Sequence, residues 1–289
     1  MRQIHQTGVV FFLLLTTAFS VSADALDSNR EKLISDKLAE EVHQGEVLWL
    51  DAKGENFLAL LIKQTNDKAQ GAVIILHGMG GHADWPQTIS PVRKALPEHG
   101  WTTLSIQLPV IAPKNQVEDY GKTLERAAER IKAAIRLLHK HKFRNIVAIG
   151  HSFGAASVLS YLEKEKEQEI ISLVAIGLQD YAFLKPPIDL LGLIKKSKIP
   201  VLDIYGSRDF KEAIDQAADR RLAAKKGDNR KYDQIEIEGA DHYFTKLEDV
   251  LIKRIRGWMN KAAPGMSILV KEDSEEVGVE DETKKKQVE

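Results

Sequence analysis

Between residues 72 and 237, short and almost wholly apolar runs alternate with longer stretches of helical periodicity. That alternation restricts the fold more than any other feature of the chain. Residues 72–76 read Ala-Val-Ile-Ile-Leu, without the polar interruptions of a strand that faces water on one side. Further strands are predicted at 101–106, 145–149, 173–176, 201–205 and 234–237. Helices are predicted at 91–99, 120–141 and 155–165, with a last one at 246–261. The long one carries Leu124, Ala128, Ile131, Ile135 and Leu138 on one stripe. Such alternation implies an α/β fold with a mainly parallel sheet, helices on both faces and right-handed crossovers. Ahead of it, 28–42 reads as a helix with Leu33, Ile34, Leu38 and Val42 on one face. The runs 46–50 and 57–62 read as a hairpin around Asp51-Ala52-Lys53-Gly54.

The chain has 289 residues, 43% of them hydrophobic, enough for one large α/β domain or two small ones. Its formal net charge of -1 exerts no general attraction on nucleic acid or anionic membranes, and no nucleic-acid partner is expected. With no cysteine there is no disulfide, thiol nucleophile or thiolate metal site. No motif calls for a cofactor or a metal. The N-terminus has a weakly basic start at Arg2 and His5, an apolar stretch over 8–19, and the small residues Val21-Ser22-Ala23. This is the pattern of a secretory signal peptide. An uncleaved anchor is the alternative, but the run is short for a span of about 20 residues, so no stable membrane span is expected after signal removal. Residues 271–289 are mostly Glu, Asp, Lys and Val without an aromatic, and such a segment cannot offset its ordering entropy. The expected organisation is a signal peptide at 1–23, a helical segment at 24–45, an α/β domain at 46–263 and a disordered charged tail at 264–289.

Chemistry concentrates in Gly150-His151-Ser152-Phe153-Gly154. The motif G-x-S-x-G lies between a predicted strand and a predicted helix, which is the context of a nucleophile elbow. The sharp reversal strains the serine, and the flanking glycines remove side chains that would collide across the turn. A chance match at a helix N-cap is the bland alternative. Serine needs a base, and His242 stands between the last predicted strand and the last predicted helix. The base needs an acid, and Asp209 follows the strand at 201–205. The order Ser152, Asp209, His242 is that of a hydrolase triad. Asp180 and Asp241 are rival acids. Oxyanion donors are expected from the backbone N–H of Phe153 and, in His77-Gly78-Met79-Gly80-Gly81, of Met79. Read as a phosphate loop, that segment would need Lys-Ser/Thr after its last glycine; His82-Ala83 stands there.

These residues, taken together, resemble the α/β-hydrolase superfamily over roughly 46–261. Within it, 77–86 and 100–105 are similar to an uncharacterised family of exported proteobacterial hydrolase-like proteins, a domain of unknown function. The resemblance implies an α/β-hydrolase fold and an exported, periplasmic protein, and it favours no particular reaction. The segment between the strands at 173–176 and 201–205 is too short for a large cap, leaving a small lid or one core helix. Trp85, Tyr181 and Phe183 are candidates for the pocket wall, which suits a small-molecule acyl substrate of modest size. No protein partner is identified. Two readings follow: a serine hydrolase, foremost an esterase or thioesterase, with amide cleavage next to it; or a non-catalytic periplasmic binding or assembly protein that reuses the fold.

Overall fold

A computed structural model describes residues 26–113, 115–165 and 167–264. The expected signal peptide at 1–23 and the charged tail from residue 265 onward lie outside the described residues. Among those described, eight strands form one sheet in the order β1-β2-β4-β3-β5-β6-β7-β8. β1 (Glu46–Ala52) and β2 (Glu55–Ile62) pair antiparallel, and β2 continues antiparallel onto β4 (Trp101–Ile106). The rest is parallel: β4 on β3 (Gly71–Leu76), then β5 (Ile146–His151), β6 (Ser172–Ile176), β7 (Val201–Arg208) and β8 (Tyr232–Asp241). The hairpin closes through Lys53 (φ 55) and Gly54 (φ 87), the left-handed pair that a two-residue turn between twisted strands requires. Asp51 Oδ2 accepts from Gly54 N–H at 2.9 Å.

The continuous apolar runs follow from burial on both sheet faces. Along β3, Ala72, Ile74 and Leu76 face a core shared with Ile131, Ile135 and Leu138 of α3 (Leu124–Lys140) and Val158 of α4 (Phe153–Lys164). Val73 and Ile75 face a second core with Val92 of α2 (Ile89–Ala95) and Leu251, Ile255 and Met259 of α8 (Glu248–Ala262). From β3 the chain goes out to β4 and returns to β5 on the other side of β3. Strand order reverses there, so the loops after β3 and β5 flank a crevice at the carboxyl edge, where sheets of this kind bind ligands.

Several elements differ from the sequence pattern. The helix expected from residue 120 is a 3₁₀ segment (Val117–Thr123) leading into α3, and the one expected at 91–99 divides into α2 and a 3₁₀ turn (Leu96–His99). In α1 (Ser28–Glu41), Leu33 is 71% exposed and does not share the buried face. Glu31 and Ser35 take the inward positions beside Leu38, because Glu31 pairs with the buried Arg130 at 2.8 Å. The segment after β6 holds α5 (Leu190–Lys196), whose Leu190 and Ile194 belong to the core, so it is a core helix, and no large cap stands among the described residues. Two helices, α6 (Lys211–Asp215) and α7 (Ala217–Lys226), have no counterpart in the sequence pattern. α7 lacks an apolar stripe; it packs through Ala217, Ala223, Ala224 and a buried arginine.

That arginine, Arg220, reaches Asp203 of β7 at 2.8 Å, with both side chains 0% exposed. Asp203 Oδ2 also accepts from Tyr232 OH (2.7 Å) and Gln234 Nε2 (2.8 Å) of β8, while Arg220 donates to Ala213 O. The network ties α6 and α7 beneath the two strands whose ends carry Asp209 and His242. Removing one partner strands the other charge in the core, so Asp203→Ala is expected to destabilise the fold by about 3–5 kcal/mol. Urea denaturation measures this, and a loss under about 1 kcal/mol would show the pair to be dispensable.

Candidate active site

β5 ends at His151 and α4 begins at Phe153, so one residue, Ser152, makes the whole turn from strand to helix. It does so at φ 54, ψ -121, a conformation that costs an L-residue free energy and persists only where its surroundings hold it. Its N–H donates to Ile176 O of β6 at 2.7 Å. A β-carbon at Gly150 would lie 2.4 Å from Ala155 Cα, and one at Gly154 2.5 Å from Leu76 O, so the turn closes only with glycine at both. Ser152 Oγ lies 3.1 Å from Tyr181 OH. Among the described residues no hydrogen bond joins Ser152 Oγ to His242.

Asp209 and His242, expected from sequence as acid and base, come from adjacent parallel strands. β7 leads to Asp209, and β8 leads to His242. His242 Nδ1 lies 2.6 Å from Asp209 Oδ1, with the imidazole 4% and the carboxylate 0% exposed. Asp209 also accepts from Phe210 N–H at 2.7 Å and, at 3.4 Å, from Gly206 N–H. A carboxylate so held fixes the Nδ1–H tautomer and leaves Nε2 as the basic nitrogen. The rival acids point elsewhere: Asp180 accepts from Ala182 N–H, and Asp241 from Tyr243 and Thr245 N–H. Gly177 (φ 64) ends β6 directly under the pair, where a β-carbon would lie 2.9 Å from His242 Cε1. Phe210 stacks on the imidazole at 4.1 Å and 22° and shields it from water on that side.

The loop after β3 is pinned by two side chains. His77 Nδ1–H donates to Gly78 O at 2.8 Å, and its Nε2 accepts from Leu108 N–H at 2.9 Å and stands 3.1 Å from Gln107 Nε2. Tyr120 OH accepts from Gly80 N–H at 2.8 Å. A β-carbon on Gly78 would crowd Ser152 Cβ at 3.2 Å, so the loop lies against the serine. The Phe153 N–H opens α4, where the first donors have no intrahelical acceptor. The Met79 N–H meets no acceptor among the described residues. His151 donates Nε2–H to His242 O at 3.0 Å and so braces the elbow against the loop that carries His242. Burial holds His77 neutral, its pKa lowered to about 3. Burial and then the neighbouring His242 lower His151 to about 4.

The cavity beside Ser152, about 230 Å³, is lined by 78–81, Trp85, His151, Gln179, Phe210, His242 and Tyr243. Of the wall residues expected from sequence, Trp85 lines it. Tyr181 is fully buried beneath Ser152, and Phe183 is 42% exposed outside the cleft. An isolated bridge between Tyr181 and Ile188 turns the first inward and leaves Phe183 at the bend. His151, Gly177, Gln179 and Phe210 escaped the sequence reading; only His151 carried a signal, its place beside the serine. A larger cavity of about 600 Å³ between α1, the hairpin and α3 holds neither Ser152 nor His242. Its charged walls are paired, as in Lys32–Asp36 and Arg130–Glu31. Among the described residues no cluster of three or more His, Asp or Glu has metal-binding geometry, and no helix is long and apolar enough to cross a membrane.

A family model described as "Protein of unknown function (DUF3530)" matches residues 20–121 and 112–261. No curated protein sequence matches the chain. Among solved structures, Est1E from Butyrivibrio proteoclasticus is similar with a TM-score of 0.60 at 19% identity, covering 74% of this chain and 97% of its own. The Pyrococcus furiosus esterase Pf2001 is similar with a TM-score of 0.60 at 19% identity, over 75% and 91%. An alpha-beta serine hydrolase homologue from Coxiella burnetii gives a TM-score of 0.57 at 18% identity, over 75% and 98%. These likenesses show the fold, which is that of the α/β-hydrolases.

The two neutral histidines generate a pH dependence of stability. Their folded-state pKa values lie below the ordinary 6.5, so below pH 6.5 the unfolded chain binds more protons than the folded one. Stability is therefore complete above about 6.5 and is lost as pH falls toward 4, by about 1.4 kcal/mol per pH unit per histidine once the unfolded-state imidazoles are charged. Urea midpoints at pH 7 and pH 5 test this; a midpoint that rises at pH 5 contradicts it.

Proposed function

The chain belongs to the DUF3530 family, and from its site we propose that it is a serine hydrolase cleaving carboxylic esters or thioesters by acyl transfer to Ser152. One observation carries this reading: His242 of the buried Asp209–His242 pair shares a cavity wall with a serine held in a strained strand-to-helix turn. In acylation, His242 Nε2 takes the Oγ proton while Oγ bonds to the substrate carbonyl carbon. The carbonyl π pair moves onto its oxygen, which the Phe153 and Met79 N–H groups receive. The imidazolium, stabilised by Asp209, then protonates the leaving oxygen or sulfur as its bond to carbon breaks. Water repeats the sequence on the acyl-enzyme. Met79, Trp85, Phe210 and Tyr243 line the cleft without a lysine or arginine, which suits an uncharged acyl group of modest size. That no hydrogen bond joins Ser152 Oγ to His242 among the described residues favours the second reading, a non-catalytic binding or assembly protein on the same fold.

A fluorophosphonate probe separates the two. Labelling is expected in the wild-type protein and absent in Ser152→Ala. His242→Ala and Asp209→Asn should slow turnover of acyl esters by roughly 10⁴-fold or more, whereas Asp180→Asn should be nearly silent. A folded wild-type protein that neither labels nor hydrolyses any ester, thioester or amide of a broad panel favours the binding protein.

The same reading includes export to the periplasm, on the Arg2–Ala23 pattern. Intact mass is expected to show a soluble chain starting near Asp24. A membrane-bound product retaining 1–23 contradicts this.

A further inference from the structure

Among the described residues, Tyr181 is the one side chain hydrogen-bonded to Ser152 Oγ. Its ring is fully buried against Phe153 (6.0 Å, edge to face) in a cluster with Ile111, Tyr120, Leu184 and Ile188. Its backbone is fixed as well: Tyr181 O accepts from Leu184 N–H at 3.1 Å and Ile188 N–H at 3.2 Å. Its hydroxyl therefore has a set position, 3.1 Å from Ser152 Oγ. Among the described residues this is the only hydrogen bond of the phenol. If the serine were the donor, the phenolic proton would be buried without an acceptor, an arrangement folded proteins avoid. If the phenol is the donor, both groups are satisfied, and the serine proton is left to turn toward His242 Nε2.

Resting on the hydrolase reading, we propose that Tyr181 is a further catalytic residue, whose O–H donates to Ser152 Oγ and stabilises the negative charge that builds there. The bond is weak to a neutral hydroxyl or an ester oxygen and strong to an oxygen becoming an alkoxide, so it favours the transition states over the states either side of them. In acylation, Oγ gives its proton to His242 as it bonds to the carbonyl carbon. In deacylation, the Oγ–carbon bond breaks, Oγ takes the electron pair, and His242 returns the proton. Tyr181 keeps its own proton throughout. Burial pushes the phenol well above its ordinary pKa, which keeps it a donor. The role differs from that of the Phe153 and Met79 N–H groups, which face the carbonyl oxygen.

Tyr181→Phe removes the hydroxyl and keeps the ring in its packing. Expected are a fall of about 10- to 100-fold in the rate of fluorophosphonate labelling of Ser152 and a similar fall in kcat. KM should stay within about 2-fold, as for an interaction made only in the transition state. In stopped-flow with a nitrophenyl ester, acylation and deacylation should both slow. Unchanged rates, faster rates, or a change confined to KM or to melting temperature overturn the proposal. Should Tyr181→Phe not fold, a ring-fluorinated tyrosine at 181 keeps shape and hydroxyl while making the donor more acidic. Faster labelling then supports the role, and no change overturns it. If the wild-type protein labels and Tyr181→Phe labels equally fast, only the role of Tyr181 fails; if the wild type never labels, the hydrolase reading falls with it.

Discussion

The backbone at Ser152 holds φ 54, ψ -121 only because everything around it leaves no other path. β5 runs into α4 with one residue between them, and Gly150, Gly154 and the Ser152 N–H bond to Ile176 O define the space for that residue. A strained residue of this kind needs rigid neighbours. Here they are the two central strands of a mainly parallel sheet and a helix buried along most of its length. The strain sets the serine side chain above the sheet edge at the start of a helix, where backbone donors lack partners and the dipole favours negative charge.

Parallel register then does the rest of the assembly. Because β3, β5, β6, β7 and β8 all point the same way, the segments leaving them gather at one edge. The edge gathers the glycine loop after β3, the serine after β5, Gly177 and Tyr181 after β6, Asp209 after β7 and His242 after β8. Side chains from 77 to 242 in the chain meet within a few ångströms without a second domain.

Charge is rationed in this region. His77 and His151 serve as neutral struts, each bonding through backbone atoms of the loops they brace. Burial keeps them uncharged, so they do not compete with His242 for Asp209. Buried ions elsewhere are paired: Arg220 with Asp203 under β7 and β8, and Arg130 with Glu31 under α1. Replacing such a pair by apolar side chains of similar volume can be neutral, whereas removing one partner leaves the other charge stranded in the core.

Features with a local cause were legible in the amino-acid order. Unbroken apolar runs at 72–76 and 146–149 encode strands covered on both faces, and the glycines at 150 and 154 encode the elbow, because sterics at those positions act over a few residues. Chain order pointed to Ser152, Asp209 and His242. What the order of residues could not decide was which side chains face one another. α6 and α7 left no apolar period, since they pack through alanines and one paired arginine. Leu33 and Phe183 carry apolar side chains yet stand in solvent, while Glu31 turns inward because Arg130, far along the chain, awaits it. The choice of Asp209 over Asp180 and Asp241 as partner of His242, the stacking of Phe210, the tight fit over Gly177 and the bond from Tyr181 to Ser152 all arise from strands brought side by side. Sequence determined the apolar strands, the patterned helices and the reactive residue types; only tertiary packing decided their partners, because contacts between distant segments depend on register and sheet order, which no local pattern records.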